Sequence, residues 1–473
     1  MADILGGERF IAATPIEKGW SEDKKYCVTN TNGEKYLLRI TPIERYENRK
    51  ALFAMLEQVA TLDIPMCLPI EFGTCANGVY SLQSWIDGED LETVLPSLPE
   101  TEQYVLGLKA SEILRKIHSL PVQENTPEWS SRFFGVMDER IIAFQNCGIS
   151  FDNDSLVLDF LKNNRHLLHN CPQSFRHGDY SIGNMIMSDT KDIAVIDWEV
   201  DDFDNYGDPW LDFTDVVWGA DKSPHFASGL IKGYFGKEPP YEFWERLMFY
   251  VFTGITSSIQ WVARTHKGAL ENEVRLCGEA LCWYDNMKNP VPTWYRKGYE
   301  VWDVLDANGN KTGRFHERGK PMATGDYRLV VHVWKHNGRG EWLIDKRAAR
   351  DTDTLGGKWE TTGGSAVVGD DSLTAALREA KEELGLDLNP NKGTMFRRII
   401  NHGNDGHTWL VDAWIFEHDC PIEDVRFQEN ETCEAMWASV ERIREMMATD
   451  EFLSEQFYPY FDDMAEKWKG VMA

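Results

Sequence analysis

Hydrophobic residues recur at different spacings in the two parts of the chain. In the first part, Leu106, Ile113 and Ile117 fall on one face of a helix drawn over residues 101–120, which predicts a helix packed against a core. Residues 46–60 also have a helical pattern. Beyond residue 292 the apolar residues stand in short runs typical of strands. The pattern therefore predicts a helix-rich first domain and a strand-rich second domain.

Three Asn-Gly pairs mark predicted tight turns. One of them, Asn308-Gly309, follows a predicted strand over residues 300–305. The other two lie within predicted β-hairpins. The first, Asn32-Gly33, lies between apolar runs at residues 24–29 and 35–40. The second, Asn337-Gly338, lies between similar runs in the second part of the chain. Such a pair suits the tight turn of a hairpin because both residues tolerate positive φ. We therefore expect strands at the start of both domains.

The segment Asn289-Pro290-Val291-Pro292 marks the predicted domain boundary, because its prolines cannot continue a preceding helix. A chain of 473 residues is long for one core and suits two or three. We expect a first domain at residues 1–289, a linker at 290–297 and a second domain at 298–473. The first domain is expected to have a small, strand-rich lobe (about 1–87) and a large helical lobe (about 88–289).

The composition of the chain limits which kinds of molecule the protein is expected to bind. The chain has 49 Lys and Arg against 77 Asp and Glu, a formal net charge of −28, so nucleic acid and anionic lipid are disfavoured as ligands. The nine cysteines include no Cys-x-x-Cys pair, which favours reduced thiols and a cytoplasmic location. The start of the chain lacks a secretory signal pattern. Residues 247–263, the most apolar stretch, contain several Ser, Thr and Gln residues and predict a buried helix rather than a membrane span.

A phosphoryl-transfer site is predicted from two motifs, HGDYSIGN at residues 177–184 and IDWE at residues 196–199. Phosphoryl transfer needs a group that orients the attacking hydroxyl and oxygen ligands for Mg²⁺. Asp179 suits the first role. Asn184, five residues later, and Asp197 suit the second.

The spacing between the motifs predicts that they meet. Residues 185–187 and 193–196 are short apolar segments on either side of a polar turn at residues 188–192. A hairpin folded about this turn sets Asn184 opposite Asp197. Both candidate metal ligands would then lie at one end of the hairpin.

These motifs resemble those of the aminoglycoside phosphotransferase and choline kinase superfamily over roughly residues 16–287. The resemblance implies a two-lobed fold of the protein-kinase type and ATP as co-substrate. It also implies that Asp179 is the catalytic base and that Asn184 and Asp197 are magnesium ligands. Gly207-Asp208-Pro209 matches a further element of that superfamily.

The same resemblance predicts which residues contact the nucleotide. Arg39 stands where the ATP-binding cation is expected, with Lys35 as a less favoured substitute. Ser84 lies in the segment expected to contact adenine, and Gly19 lies in a loop expected to cover the phosphates, although that loop is not glycine-rich. A helix glutamate should pair with the strand cation, and Glu47 is the nearest one.

Other residues near these motifs have simpler expected roles. His177, Asp208 and Asp212 are predicted to brace the loop rather than to take part in chemistry. Glu199 has two open interpretations, a ligand of a second metal ion or a solvated acid at the end of a strand.

A second catalytic pattern lies in the predicted helix over residues 372–384. Glu379, Glu382 and Glu383 cluster at i, i+3 and i+4, away from the apolar stripe of that helix. Crowded carboxylates repel one another unless cations hold them, and hard oxygen ligands favour Mg²⁺ or Mn²⁺. Such ions neutralise a diphosphate and activate water for attack on phosphorus. Arg378 is predicted to pair with Glu382 one turn on.

The segment from Gly364 to Leu386 resembles the Nudix box, with Asp370 in place of its first glutamate and Ala380 at its first aliphatic position. The resemblance implies that Glu379, Glu382 and Glu383 bind metal, with Glu382 and Glu383 as catalytic residues. Our candidate for a further carboxylate ligand is Glu431, whose alternative interpretation is a solvated loop acid.

The second domain also resembles isopentenyl-diphosphate isomerases, which share the Nudix fold. Their catalytic cysteine is missing here, because Trp359-Glu360-Thr361-Thr362 runs directly into Gly363. His316 and His332 could be remnants of metal ligands, but strand or turn positions explain them better. Hydrolysis is therefore favoured over isomerisation.

The sequence thus predicts an α+β protein, with a two-lobed protein-kinase-like domain followed by an α/β/α Nudix domain with a mixed sheet. We expect a bifunctional enzyme. One half would phosphorylate a hydroxyl on a small molecule, with an aminoglycoside-like acceptor favoured, and the other would hydrolyse a nucleoside-diphosphate-type or other diphosphate-linked small molecule. The alternatives are a kinase for choline, homoserine or a sugar, or a nucleotide-binding regulatory protein with one inactive half.

Overall fold

The structure is a computed structural model that describes residues 9–18, 23–76, 78–122, 124–201, 203, 205–349, 355–402, 408–428 and 430–469. Backbone contacts divide the chain into two compact units, Met1–Gly298 and Tyr299–Ala473.

The first unit opens with a five-stranded antiparallel sheet in the order β1-β2-β3-β5-β4. Its strands are β1 Phe10–Ile16, β2 Lys24–Asn30, β3 Lys35–Thr41, β4 Pro69–Cys75 and β5 Gly78–Ser84. The hairpin predicted at Asn32-Gly33 is confirmed as the β2–β3 connection. Helix α1, Tyr46–Val59, follows β3 and buries Leu52 and Leu56. This small lobe presents β3 and α1 to the candidate nucleotide site.

The rest of the first unit is largely helical. Its helices are α2 Leu91–Val94, α3 Glu100–His118, α4 Trp129–Asn146, α5 Asp154–Asn163, α6 Phe213–Gly219, α7 Pro224–Phe235, α8 Tyr241–Thr265 and α9 Leu270–Trp283. The periodicity over residues 101–120 is confirmed, since Leu106 and Ile117 are buried on α3. The apolar stretch at 247–263 forms the buried helix α8, as predicted. Within the described residues, no helix is both long enough and apolar enough to span a membrane.

Glycines allow α3 and α7 to pack with their backbones in close approach. A Cβ at Gly107 would lie 2.2 Å from the carbonyl oxygen of Phe226, and a Cβ at Gly229 would lie 2.2 Å from that of Tyr104. Any larger residue at either position would force the helices apart. This contact anchors the core of the large lobe.

Short strands carry the predicted catalytic motifs. They are β6 Glu89–Asp90, β7 Ser174–Phe175, β8 Met185–Met187, β9 Ile193–Val195 and β10 Tyr206–Gly207. Strands β8 and β9 form the predicted antiparallel hairpin, with Met185 opposite Val195. Strand β6 pairs with the other edge of β8.

The second unit contains a two-stranded hairpin and a seven-stranded mixed sheet. The hairpin strands are β11 Val301–Leu305 and β12 Lys311–Glu317. The sheet strands are β13 Arg328–His336, β14 Glu341–Arg347, β15 Trp359–Glu360, β16 Gly363–Ser365, β17 Gly393–His402, β18 Thr408–Glu417 and β19 Thr432–Ser439. Strands β13 and β18 pair in parallel, and the other pairs are antiparallel.

Helices cover both faces of this sheet, which confirms the predicted α/β/α arrangement. They are α10 Ser372–Leu384, α11 Val440–Ala448 and α12 Phe461–Lys469. Alternate residues of a strand point to opposite faces. On β14, Leu343 joins the core that includes Ala380 of α10, whereas Trp342 and Ile344 join the core that includes Ile443 of α11.

Candidate active sites

The structure brings Asp179, Asn184 and Asp197 to one end of the β8–β9 hairpin. Asn184 Nδ2 donates to the carbonyl oxygen of Asp179 at 3.1 Å. The amide of Ile196 donates to the carbonyl oxygen of Asn184 at 2.9 Å. Because Asp197 follows Ile196 directly, this bond brings the backbones of Asn184 and Asp197 close together. The Asp179 side chain is exposed at the loop. The candidate base and the two candidate metal ligands therefore lie at the same end of this hairpin.

Asp197 has a backbone conformation that is rare outside glycine, with φ at 61°. Val195 and Trp198 on either side of it are buried, so the flanking chain is held by the core. Residues held in this region are concentrated at functional sites, because packing must stabilise the strain. The Asp197 carboxylate lies 3.5 Å from Nη1 of Arg39.

Asp212 braces the loop that carries Asp179. Its carboxylate accepts hydrogen bonds from the amides of His177 at 2.8 Å and Gly178 at 3.1 Å. Burial would raise the pKa of Asp212, but the hydrogen bond with His118 and the charge of Arg176 outweigh it and lower that pKa to about 2. The ionised carboxylate is thus a fixed acceptor for the loop backbone.

His177 also acts on the loop rather than on a reactant. Its ring is buried, with its centroid 4.3 Å from that of Trp198, and its Nδ1 accepts a hydrogen bond from the amide of Asp179 at 3.2 Å. Burial lowers the pKa of His177, which keeps the ring neutral and able to accept. It therefore sets the backbone position of Asp179.

Arg39 on β3 lies in a network of ions that spans the two lobes. Its Nη2 donates to Asp23 at 3.1 Å and to Glu199 at 2.8 Å. Arg49 on α1 pairs with the same two carboxylates, at 2.9 Å and 2.6 Å. Glu47 is exposed and takes no part in this network. The helix thus contributes a cation where a glutamate was predicted, and Glu199 is paired with two arginines.

Two of the predicted nucleotide contacts, Lys35 and Ser84, have other partners in the structure. Lys35 is paired with Asp87 at 2.7 Å, away from the Arg39 network. The amide of Ser84 donates to the carbonyl oxygen of Leu68 at 2.8 Å, and the hydroxyl of Ser84 accepts from the amide of Leu68 at 2.8 Å. The amide and hydroxyl of Ser84 are therefore already hydrogen-bonded within the protein. Gly19 lies outside the described residues.

Sequence reasoning missed Asp23 and Arg49. A signal for Arg49 is present, since it lies at i−3 from Leu52 on the buried stripe of α1, where a charged residue requires a partner. Asp23 lies at the entry to β2 with its side chain fully buried, and nothing in its local sequence distinguishes it from a turn residue.

A cavity of about 330 Å³ lies in the large lobe. Its lining includes aromatic, hydroxyl and acidic side chains, among them Phe133, Trp218, Tyr250, Ser257, Asp215 and Glu273. Burial raises the pKa of Asp215 well above its usual value, and the charge of Asp179 raises it further. Asp215 therefore lines the cavity and lies within electrostatic range of Asp179.

Helix α10 presents the carboxylates of the second unit. It begins at Asp371, whose side chain accepts a hydrogen bond from the amide of Thr374 at 2.7 Å. Ala380 and Leu384 are fully buried toward the core. Glu379 packs directly against Gly364, where a Cβ would lie 2.3 Å from its carboxyl carbon. A glycine at 364 therefore leaves the room that Glu379 occupies.

Arg378 ties together the acidic residues around α10. It contacts Asp370 at 3.1 Å, Glu379 at 3.0 Å and Glu382 at 2.9 Å. Its predicted pairing with Glu382 is therefore confirmed. Asp370, in place of a box glutamate, also reaches this arginine. In the side-chain positions of the described ranges, no three His, Cys, Asp or Glu residues form a ready-made metal site.

The residues of α10 nevertheless fit a divalent cation. Oε2 of Glu383 is buried and has no hydrogen-bond partner among the residues that the structure describes. Burial, and then the charges of Asp345 and Glu379, raise the pKa of Glu383. Burial likewise raises the pKa of Glu379, to about 7, against the opposing charge of Arg378. Buried carboxylates of this kind gain from a hard cation, which compensates their lost hydration.

A buried lysine lies beneath α10. Lys335 on β13 and Asp345 on β14 are almost completely buried, and their charged atoms are 3.8 Å apart. The hydroxyl of Thr362 joins them, since it accepts from Lys335 at 2.5 Å and donates to Asp345 at 2.6 Å. Lys335 also interacts electrostatically with Glu383. Sequence reasoning missed this group because β13 otherwise has the pattern of a buried strand.

The loop that carries Glu431 packs against the C-terminal end of α10. The amide of Gln428 donates to the carbonyl oxygen of Glu383 at 3.1 Å. The amide of Glu431 in turn donates to the carbonyl oxygen of Gln428 at 3.1 Å. The Glu431 side chain is exposed. The structure thus brings Glu431 to the neighbourhood of the three helix carboxylates.

Neither histidine of the isomerase comparison reaches α10. His332 is hydrogen-bonded to the hydroxyl of Tyr460 at 2.8 Å, and burial lowers its pKa to about 3. His316 Nε2 lies 3.0 Å from the carbonyl oxygen of Lys320, and its ring stacks on Trp302. Both have structural partners.

Fold and site together define two classes of protein in one chain, a two-lobed kinase-type phosphotransferase fold and a Nudix fold. The phosphotransferase enzyme family model matches residues 12–250, and the Nudix domain model matches residues 326–461. The chain therefore belongs to the phosphotransferase enzyme family and, through its second unit, to the Nudix hydrolases.

Relatives of the second unit are Nudix hydrolases. The uncharacterized Nudix hydrolase lmo0368 of Listeria monocytogenes is 33% identical over 165 residues, which are 34% of this chain and 90% of that protein. Nudix hydrolase 3 of Arabidopsis thaliana is 29% identical over 160 residues, 32% of this chain and 21% of that protein. Among solved structures, a GDP complex of a mutant aminoglycoside 2'-phosphotransferase IIIa is 13% identical with a TM-score of 0.46, over 60% of this chain and 96% of that one.

Proposed function

We propose that this protein is a bifunctional cytoplasmic enzyme that phosphorylates a hydroxyl of a small molecule with ATP and hydrolyses a diphosphate-linked compound. The observation that carries the kinase activity is the meeting of Asp179, Asn184 and Asp197 at one hairpin end. The observation that carries the hydrolase activity is the clustering of Glu379 and Glu382 around one arginine on α10.

In the kinase unit, Asp179 would accept the proton of the acceptor hydroxyl as phosphoryl transfer proceeds. Asn184 and Asp197 would hold Mg²⁺, which supplies positive charge to the ATP phosphates when bound. Arg39 would bind those phosphates through guanidinium N–H groups that now bond Glu199 and Asp23. His177 and Asp212 keep the Asp179 backbone in place during the reaction.

The cavity favours an acceptor that carries an amine. Asp215 and Glu273 are acidic, and aromatic rings attract cations through their faces. An ammonium group in the cavity would stabilise ionised Asp215, whose pKa is raised by burial and by the charges of Asp179 and Asp212. Aminoglycoside-like acceptors carry several amines, which supports this class over neutral sugars.

In the hydrolase unit, Glu379, Glu382 and Glu383 would hold Mg²⁺ or Mn²⁺, with Glu431 as a further ligand. The ion supplies charge to the diphosphate and activates water when bound. Gly364 keeps space for Glu379, and Arg378 holds Glu379 and Glu382 at hydrogen-bonding distance. Glu382 and Glu383 would orient the attacking water.

The kinase activity is tested by measuring ADP release from Mg²⁺-ATP with a panel of aminoglycosides, choline, homoserine and sugars. We expect amine-bearing acceptors to stimulate release and Asp179→Asn to abolish most of it. Asp189→Asn is the matched control, since Asp189 is exposed in the turn of the same hairpin. Equal loss in both variants, or stimulation by no acceptor, would contradict the assignment.

The hydrolase activity is tested separately on a panel of nucleoside diphosphate derivatives and other diphosphate-linked compounds with Mg²⁺ or Mn²⁺. We expect Glu382→Gln to abolish hydrolysis while leaving ADP release unchanged. Lys381→Gln is the control, because Lys381 lies on α10 but pairs with Asp387 away from the carboxylates. Hydrolysis that survives in Glu382→Gln would place the active residues elsewhere.

A further inference from the structure

The β11–β12 hairpin precedes the segment that matches the Nudix domain, which begins at residue 326, yet it belongs to the second compact unit. It is attached to the loop that leads into α10. The amide of Val368 donates to the carbonyl oxygen of Val301 at 2.9 Å, and the amide of Gly369 donates to the carboxylate of Asp303 at 2.9 Å. The hairpin is therefore fixed to the backbone that positions the α10 carboxylates.

Arg318 lies one residue beyond β12, at the open end of the hairpin. Its amide donates to the carbonyl oxygen of Glu300 at 2.9 Å, and its Nη1 donates to the Glu300 carboxylate at 2.7 Å. Its guanidinium is close enough to Glu379 and Glu431 to interact with both electrostatically. One arginine thus faces carboxylates from the hairpin, from α10 and from the Glu431 loop.

Arg318 and Arg378 differ in what they can offer a ligand. Arg378 is 23% exposed and contacts Asp370, Glu379 and Glu382, so its hydrogen-bonding capacity is already used within the protein. Arg318 has a side chain that is 64% exposed and one carboxylate in hydrogen-bond contact. Its planar fork has five N–H donors, so several can bind an anion while Glu300 fixes the side chain.

We propose that Arg318 binds a phosphate oxygen of the diphosphate substrate, and that the β11–β12 hairpin is a substrate-recognition element of the Nudix site. This inference rests on the hydrolase function proposed above. A diphosphate approaching a group of carboxylates is repelled by them, and a cation at the rim of the group offsets that repulsion. A guanidinium also matches the geometry of phosphate oxygens, which an ammonium does less well.

The experiment compares Arg318→Ala with Arg314→Ala in the full chain. Arg314 lies on the same hairpin with a side chain that is 57% exposed, and it pairs with Asp326 instead. Both proteins retain Glu382, a proposed metal ligand, and the pyrophosphate probe in calorimetric titrations is its methylene-bridged form, methylenediphosphonate, with Mg²⁺, because the P–C–P bridge cannot be hydrolysed. Any pyrophosphate bound by the first unit contributes equally to both.

We expect Arg318→Ala to weaken pyrophosphate binding at least about 10-fold and Arg314→Ala to leave it unchanged. Arg318→Lys should weaken binding about 3-fold, because lysine keeps the positive charge but lacks the planar guanidinium fork. In the active protein, Arg318→Ala should raise KM for the diphosphate more than it lowers kcat. If Arg318→Ala melts at a lower temperature than Arg314→Ala, Arg318→Gln takes its place in the comparison.

Equal pyrophosphate affinity in the Arg318→Ala and Arg314→Ala proteins would overturn the proposed role of Arg318. It would leave the proposed hydrolase function unaffected. If Glu382→Gln does not lower diphosphate hydrolysis, both the proposed hydrolase function and the proposed role of Arg318 are overturned. The two failures are therefore distinguishable.

Discussion

The guanidinium of Arg49 lies 2.6 Å from the carboxylate of Glu199, and this ion pair joins helix α1 of the small lobe to the segment that carries Asp197. The sequence predicts a helix glutamate that pairs with the cation on β3. The structure has the opposite charge on the helix, and Asp23 and Glu199 supply the carboxylates between Arg39 and Arg49. Helix α1 and strand β3 are still connected, but through two arginines that share the carboxylates of Asp23 and Glu199.

Replacing Arg49 should therefore weaken both the lobe contact and the binding of ATP. We expect Arg49→Ala to lower the free energy of unfolding by about 2 kcal/mol, since it leaves buried Asp23 and partly exposed Glu199 with one arginine fewer. The KM for ATP should rise because Arg39 is then held more strongly by both carboxylates. Denaturant unfolding and ATP kinetics check this.

Arg45→Ala is the control for the Arg49 substitution. Arg45 is 42% exposed and lies 3.8 Å from Asp23, so its removal should cost less than about 1 kcal/mol. Equal losses of stability in the two variants would show that the Arg49 contact has no special role.

A methyl group at position 364 should disrupt the hydrolase unit alone. The Cβ of Gly364→Ala would lie 2.3 Å from the carboxyl group of Glu379, so the carboxylate must move. A displacement of about 1 Å at an active site costs on the order of 100-fold in rate. We expect that loss in diphosphate hydrolysis, with unchanged acceptor-dependent ADP release. Gly278→Ala on α9, where a Cβ meets nothing within 4 Å, should leave both activities intact.

The stability of the second unit should depend on pH through His332. Burial lowers the pKa of this histidine from 6.5 to about 3, so the unfolded chain binds the proton more tightly than the folded protein. Stability is therefore lost as pH falls from about 6.5 towards 3. Between pH 7.5 and pH 5 the loss attributable to His332 should be about 2 kcal/mol.

The variant His332→Gln isolates this contribution, because glutamine does not titrate while other groups of the protein still do. Chemical unfolding of both proteins at pH 7.5 and pH 5 should show a smaller loss in the variant. An identical pH dependence in the two proteins would mean that His332 is protonated in the folded state.

The buried pair of Lys335 and Asp345 should behave as a unit. We expect Lys335→Met to destabilise the second unit by about 3 kcal/mol, because Asp345 is left buried without its cation. The double variant Lys335→Met/Asp345→Asn should recover most of that loss, since no buried charge of the pair remains. A double-mutant cycle of unfolding free energies measures the coupling, and additive losses would exclude it.

The elements of the fold were predictable where the signal is local. The β2–β3 and β8–β9 hairpins follow from apolar runs on either side of turn residues, and helix α3 follows from its periodicity. The juxtaposition of Asn184 with Asp197 follows from one hairpin only 14 residues long, residues 184–197, so no long-range packing was needed to foresee it.

Contacts between distant segments were not predictable in this way. Lys335 and Thr362 are hydrogen-bonded across 27 residues of sequence, and Arg39 and Glu199 across 160. Charged residues such as Lys335 and Arg49 interrupt apolar patterns, which signals a buried partner without identifying it.

The sequence by itself determined the two families, the local turns and the short elements that carry the candidate catalytic carboxylates, because residues of one motif lie close together in the chain. Only the tertiary structure decided which carboxylates surround Arg39, that α1 carries a cation in place of the predicted glutamate, and that Arg318 of the hairpin before the Nudix segment is paired with Glu300. The reason is physical. Buried charges are satisfied by whichever partner packing brings within about 3–4 Å, and that partner is set by the docking of whole elements rather than by neighbours in sequence.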